Sequence, residues 1–381
     1  MDALPASLPL PDDQLPESIR RFAAASAPAP ARMMAARGLV PVKGDDLVVL
    51  LLQLAHSSDA AAADAAKATL SGLPEGVLLS SCASLAHPVF LDALADAVAG
   101  KEAALEAIAM NHATHDATIA RLARTSSEHL SEVIATNQQR LLKAPEIIEN
   151  LYKNKHTRMS TADRLIELAA RNGVELPGIP AFQYHVEAIQ GQLIPEPDDE
   201  PLPGDQIFAE AVAADGADAD AVERPGDEEG EEQVRERWKP LAFRIRDMTT
   251  AEKIRFAIVG DAAARALLVR DPKKLVFMAA ITSPAMTDLE ATNIAHSKEV
   301  SVDVLRYIGN RKEWLKSYDI KRALVFNPKT PMDISIRFLN HLHQADLKGV
   351  SQSRGVPSQL KTMARNRLEQ REQDKNKKDK K

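Results

Sequence analysis

Residues Arg322–Leu342, RALVFNPKTPMDISIRFLNHL, set Asn327, two prolines and Thr330 between two apolar runs. A helix stop and a helix start compressed into five residues account for this pattern. Asn327 can take the left-handed conformation that closes a helix, and Pro328 blocks continuation. Thr330 offers its hydroxyl as N-cap, and Pro331 suits the first helical position, where no amide donor is needed. Downstream, Ile334, Phe338 and Leu342 form one apolar stripe, and Met332, Ile336 and Leu339 form the next. A face this broad is expected to be buried on two sides, as for a helix stacked between neighbouring layers.

The same Asn-to-Thr spacing occurs at Asn111 and Thr114 and at Asn154 and Thr157. Sliding the chain by 31 residues lays HSKEVSVDVLRYIGN, from His296, over NPKTPMDISIRFLNH, so that Lys298 meets Lys329, Arg306 meets Arg337 and Tyr307 meets Phe338. Thr249 and Glu252 stand at capping-box spacing at the head of another apolar run. Aromatic residues make up only 4% of the chain, which favours closely packed helices over strands. The expected fold is all-α: an irregular α-solenoid of short stacked helices in two halves, joined by a disordered acidic linker.

Charge and composition divide the chain. Residues 1–41 are rich in proline and alanine and are expected to form a mobile N-terminal arm. Residues 42–190 are expected to form an N-terminal helical-repeat domain and residues 237–368 a C-terminal one. Residues 191–236 form the expected linker; between Glu196 and Glu232 they hold 15 acids and one base, Arg224. Such a stretch has too little apolar material to offset the entropy of ordering. Its one apolar island, QIFAEAVA, could be a short binding helix or a chance cluster. Residues 233–381 carry 31 bases against 17 acids, so a net charge of −6 conceals a basic C-terminal half. Residues 369–381 are expected to be a solvated lysine-rich tail.

The aspartate, spaced alanines and terminal leucine of SDAAAADAAKATLSGLP resemble HEAT-type repeats, with irregular units nearer to leucine-rich-variant helical repeats. MAARGLVPVKGDDLVVLLLQLA, NLYKNKHTRMSTADRLIELAARNGVEL and ALVFNPKTPMDISIRFLNHLHQADLKGVSQSRGVP are similar to a group of bacterial proteins of unassigned function with an acidic linker between helical halves. The resemblance implies a helical-repeat fold. It implies no reaction and no catalytic residues.

The single cysteine, Cys82, excludes an intrachain disulfide and sits among small residues, as a buried helix residue does. His112, His115 and Asp116 bring metal-capable side chains together, yet an exposed polar corner explains them equally well, and no metal is assigned. His341 and His343, two apart on a helix, point in different directions. Gly309–Lys312 and Lys348–Pro357 offer glycine and bases without phosphate-loop spacing. No catalytic residue and no cofactor is assigned, and no window approaches a membrane span. The start of the chain, with Asp2, Asp12 and Asp13, does not read as a secretory signal, so a cytoplasmic protein is expected.

The basic residues of the C-terminal half, Arg306, Arg311, Lys312, Lys316, Lys321, Arg322, Arg337, Lys348 and Arg354, form the candidate face for a polyanion or partner. The expected function is a non-enzymatic scaffold or adaptor that binds a protein partner. The alternative is a nucleic-acid-binding helical-repeat protein that uses this basic half. Few aromatics are present to stack bases, so such a protein would grip the backbone of a duplex.

Overall fold

The structure, a computed structural model, describes Leu4 and residues 7–24, 26–192, 200–213, 221–223 and 233–378. It is all-helical apart from one pair of two-residue strands, β1 (Val222–Glu223) and β2 (Gln233–Val234), which pair antiparallel with Val222 opposite Val234. The chain divides into two compact units. One comprises residues 1–157 and 168–176, the other residues 158–167 and 177–381.

The first unit contains α1 (Glu17–Ala23), α2 (Ala29–Ala36), α3 (Asp45–Ala55), α4 (Ala60–Ser71), α5 (Glu75–Ser84) and α6 (Pro88–Ala97). It continues with α7 (Glu102–Met110), α8 (Asp116–Ala123), α9 (Glu128–Ala135), α10 (Gln138–Lys143) and α11 (Pro145–Lys153). The division runs through α12 (Met159–Arg171). The second unit continues with α13 (Phe182–Ile189), α14 (Pro203–Ala213), α15 (Lys239–Asp247), α16 (Thr250–Val259), α17 (Ala262–Leu268) and α18 (Lys274–Ile281). It ends with α19 (Asp288–His296), α20 (Val302–Ile308), α21 (Tyr318–Phe326), α22 (Met332–Leu339), α23 (Gln344–Gln352) and α24 (Ser358–Lys378).

Packing advances by second neighbours. In the first unit α3 packs on α5, α5 on α7, α7 on α9 and α9 on α11. In the second, α16 packs on α18 and α18 on α20, while α17 packs on α19, α19 on α21 and α21 on α23. The helices that stack in this way are short, and isolated helices of that length are marginal without a neighbour on the apolar face.

The asparagine corners make the junctions, by a route different from the expected one. Asn327 is extended (φ −79°, ψ 119°), not left-handed. Its buried amide Nδ2 donates to the Ala295 and Ser297 carbonyls at 2.8 and 2.7 Å, and its Oδ1 accepts from the Lys329 N–H at 3.0 Å. Asn154 repeats this on Ala123 and Ser126, at 3.1 and 2.8 Å, with the His156 N–H at 3.0 Å. Asn111 does so on Cys82 and Leu85, at 3.0 and 2.9 Å, with the Ala113 N–H at 2.9 Å. Each side chain therefore shapes its own turn and closes the carbonyl end of the helix on which its own helix packs: α21 on α19, α11 on α8 and α7 on α5. Thr330 is not the cap either. The N-cap of α22 is Pro331, and the buried Thr330 hydroxyl has no partner among the described residues. Ile334, Phe338, Leu339 and Leu342 are buried as the stripe requires, whereas Met332 and Ile336 are half-buried.

Two regions expected to be loose are packed where they are described, and the described side chains of the tail are exposed apart from the half-buried Arg371. In the N-terminal segment, Leu10, Leu15 and Ile19 are buried, and the buried Gln53 side chain pairs with both backbone groups of Leu10, accepting at 2.9 Å and donating at 2.7 Å. Three apolar anchors and one amide hold a proline-rich strand that composition marks as mobile. Residues 203–213 of the expected linker form α14, which packs on α15 and α16 and buries Phe208. The rest of the Glu196–Glu232 expectation falls largely outside the described residues. The expected tail is helical as far as Lys378, and Arg371 donates to the Leu342 and Asn340 carbonyls at 2.8 and 3.1 Å.

Two stability predictions follow from these contacts. Asn327→Ala strands two buried carbonyls and one N–H, and is expected to destabilise the chain by about 2–3 kcal/mol in urea unfolding. A change within about 0.5 kcal/mol would remove the bridge from the account. Glu252, N3 of the α16 capping box, has its pKa raised by burial, with Asp163 and Asp205 adding to the rise and the Thr249 hydrogen bonds opposing it. The folded chain then holds this proton more tightly than the unfolded chain. Stability is lost as pH rises from the unfolded value, about 4.3, through the raised folded value. Glu252→Gln retains an acceptor for the cap, so it should be the more stable form at pH 7 and equal to the parent at acid pH. A less stable Gln variant at pH 7 would contradict this.

Candidate functional site

The C-terminal ends of α19, α21 and α23, stacked side by side, enclose a cleft of about 520 Å³. His296 and Lys298 enter from the end of α19, Arg322 and Phe326 from α21, and Arg354 from the turn after α23. Among the described residues no acidic side chain lines it. The floor is kept open by glycine: a Cβ at Gly349 would lie 3.2 Å from the edge of the Phe326 ring. Asn327, the bridging residue, forms part of the wall. The element that joins the layers thus also sets the width of the cleft.

Cations at helix C-terminal ends are favourable in themselves, by about 0.3–1 kcal/mol each, because carbonyl dipoles point there. That accounts for His296 in the last turn of α19, but not for Arg322 in the middle of α21. Nor does it account for the convergence of the bases on a concave surface beside an aromatic ring. Arg322 is held in place by Asp346, Nε to Oδ1 at 2.8 Å, and its guanidinium lies 5.4 Å from the centre of the Phe326 ring. Asp346 also accepts from the Tyr318 hydroxyl, and its pKa is lowered by the Tyr318 and Arg322 hydrogen bonds although burial opposes them.

Of the nine basic residues read from the sequence, Arg322 and Arg354 line the cleft. Arg306 pairs with Asp303 on its own helix at 3.3 Å. Arg311 pairs with Glu313 at 2.8 Å and lies 4.5 Å from the centre of the Trp314 ring. Arg337 lies 4.7 Å from the centre of the Phe338 ring and donates to the Gly309 carbonyl and to Asn310 Oδ1. It closes the end of α20 with its guanidinium while remaining exposed, as Arg306 is. Lys312, Lys316 and Lys348 are exposed and Lys321 is half-buried, away from the cleft lining. Lys298, His296 and Phe326 were not selected from the sequence. The only signal was the 31-residue register, which pairs Lys298 with Lys329.

The other polar clusters are engaged in structure. His115 Nδ1 accepts from the Ala117 N–H and caps α8. Asp116 pairs with Arg140 at 3.3 Å and Lys143 at 3.1 Å. Arg140 also donates to the carbonyls of Ala109, His112 and Thr114. Among the described residues no group of three His, Cys, Asp or Glu side chains is placed to hold a metal. The Cys82 thiol is fully buried, and burial pushes its pKa up to about 11. No described helix is long and apolar enough to cross a membrane.

Comparison with family models, with curated proteins and with solved structures gives no match for this chain.

Arg337 and Lys316 separate structural from surface bases. Arg337→Ala is expected to cost about 1–3 kcal/mol in urea unfolding because it deprives the Gly309 carbonyl of its donor. Lys316→Ala should stay within about 0.5 kcal/mol. Equal effects would contradict the assignment.

Proposed function

We propose that the chain is a non-enzymatic helical-repeat scaffold, an irregular α-solenoid, that binds a protein partner by gripping an acidic segment of it in the cleft between α19, α21 and α23. The observation that carries this reading is the convergence of Lys298, Arg322 and Arg354 on a concave surface free of acidic side chains. Packing by second neighbours is how helical repeats grow extended surfaces, and it supports the solenoid part of the reading. The polar residues that could suggest chemistry elsewhere cap helices or pair with one another, which is scaffold work.

A short acidic or phosphorylated stretch suits the cleft better than a duplex does. Duplex binding gains from many phosphate contacts spread along a groove. Here Arg306 and Arg311 are paired with acids, Arg337 is bound to backbone, and Lys312, Lys316 and Lys348 stand exposed outside the cleft, so the bases that converge on one hollow are Lys298, Arg322 and Arg354. The Phe326 ring adds an apolar contact beside the charges.

Fluorescence anisotropy of the full chain with a labelled oligo-glutamate peptide and with a labelled duplex tests this at two salt concentrations. The peptide is expected to bind more tightly than the duplex. The double variant Lys298→Glu with Arg354→Glu should weaken peptide binding by about tenfold or more, a change of about 1.4 kcal/mol. Tighter duplex binding would favour the nucleic-acid reading. Peptide binding indifferent to the double variant would remove the cleft as the site.

A further inference from the structure

Helix α14 lies in the most acidic part of the sequence, yet it buries a charged side chain and an aromatic ring. Asp205 is 6% exposed. Its Oδ1 accepts from the Ser160 N–H at 2.8 Å, and its Oδ2 accepts from the Ser160 hydroxyl at 2.9 Å and from the Leu202 N–H at 3.0 Å. Ser160 stands in the first turn of α12, where unpaired amides and the helix dipole favour an anion. Three residues further along, Phe208 is buried against the edge of Phe256, ring centres 6.1 Å apart at 74°, with the Arg255 guanidinium 4.6 Å from its centre. Arg255 is itself fully buried and donates to the Arg158 carbonyl at 3.1 Å. At Gly204 a Cβ would lie 2.4 Å from Glu252 Oε1, so any larger residue before Asp205 would displace the Glu252 carboxylate from its place in the capping box. At the rim, Glu210 pairs with Arg244 at 3.3 Å.

These contacts define a socket with three requirements: no side chain at the first position, a carboxylate at the second and an aromatic ring three residues after the carboxylate. An isolated helix of 11 residues is marginal in water, so the socket is what makes this segment helical. Docking also brings Asp205 near Glu252, which offsets part of the gain from burying Phe208.

We propose that the groove formed by the start of α12 with α15 and α16 is a recognition site for an acidic helical segment with the spacing Gly-Asp-x-x-Phe, occupied in cis by residues 203–213 and open to exchange with a partner segment of the same pattern. It does not rest on the cleft, which uses other residues. A cis segment competes at an effective concentration on the order of millimolar, so the site is masked in the resting chain and revealed when the cis copy is weakened.

The probe is a fluorescein-labelled peptide of residues 200–213, EPLPGDQIFAEAVA, titrated with the full chain carrying Phe208→Ala or, separately, Asp205→Asn. Both variants are expected to bind it about tenfold or more tighter than the parent chain. Adding Ser160→Ala, or using a peptide with either substitution, should abolish that gain, whereas Arg354→Glu should not. Circular dichroism accompanies each variant. The proposal is overturned if the variants keep their helix content and bind no tighter than the parent. It is equally overturned if both variants lose their fold, since α14 is then a fixed part of the core. Sensitivity to Arg354→Glu would place the peptide in the cleft and overturn the socket.

Discussion

The layers of both units are joined by a buried asparagine amide placed where a helix ends. A helix terminus leaves carbonyls without partners, and burying them unpaired costs about 1–3 kcal/mol each. Asn111, Asn154 and Asn327 each answer that cost for a helix about thirty residues earlier while shaping their own turns. Few side chains could substitute. The role needs two donors and one acceptor in a rigid plane, which an amide supplies and a carboxylate or hydroxyl does not. Because the donors reach a preceding helix, the turn and the interlayer contact form together, and second-neighbour packing follows.

The corner itself was legible. Asn and Thr at fixed spacing, with prolines beside them at Asn327, mark the end of one helix and the start of the next, and helices do end and start there. The agent was not legible, because propensity rules see only neighbours along the chain. A left-handed asparagine is the local solution to a helix end, and bonding to Ala295 and Ser297 is a solution only the folded chain offers. The same limit hides the packing of the N-terminal segment and of residues 203–213. Leu10, Leu15 and Ile19 look scattered until Gln53 pins Leu10, and Phe208 looks accidental until Arg255 and Phe256 face it. Composition measures how much apolar material a segment has, but not whether the rest of the fold provides a place for it.

Arginine shows how a charge count can mislead about a surface. Arg140, Arg337 and Arg371 each reach back roughly thirty residues to carbonyls around the ends of earlier helices. A planar guanidinium with five donors suits that task better than an ammonium. Much of the positive charge of the C-terminal half is thereby engaged with backbone or with Asp303, Glu313 and Asp346. What distinguishes the cleft is therefore not its number of bases. Its bases converge where Gly349 lets the wall recede and no carboxylate intrudes.

The cleft and the α14 socket meet an acidic group in opposite ways. In the cleft, full charges near solvent attract an anion at long range, and salt weakens that attraction within a Debye length of about 8 Å at physiological ionic strength. In the socket, Asp205 is held mainly by neutral donors, the Ser160 amide and hydroxyl and the Leu202 amide, in a place closed to solvent. Short directed hydrogen bonds of that kind discriminate by fit and respond little to salt. On the proposed reading, the chain would have one surface for capture by charge and another for recognition by spacing. Burial also makes the socket the more demanding of the two, because a segment that lacks the carboxylate would leave the Ser160 donors unpaired in the interior, a penalty the open cleft does not impose.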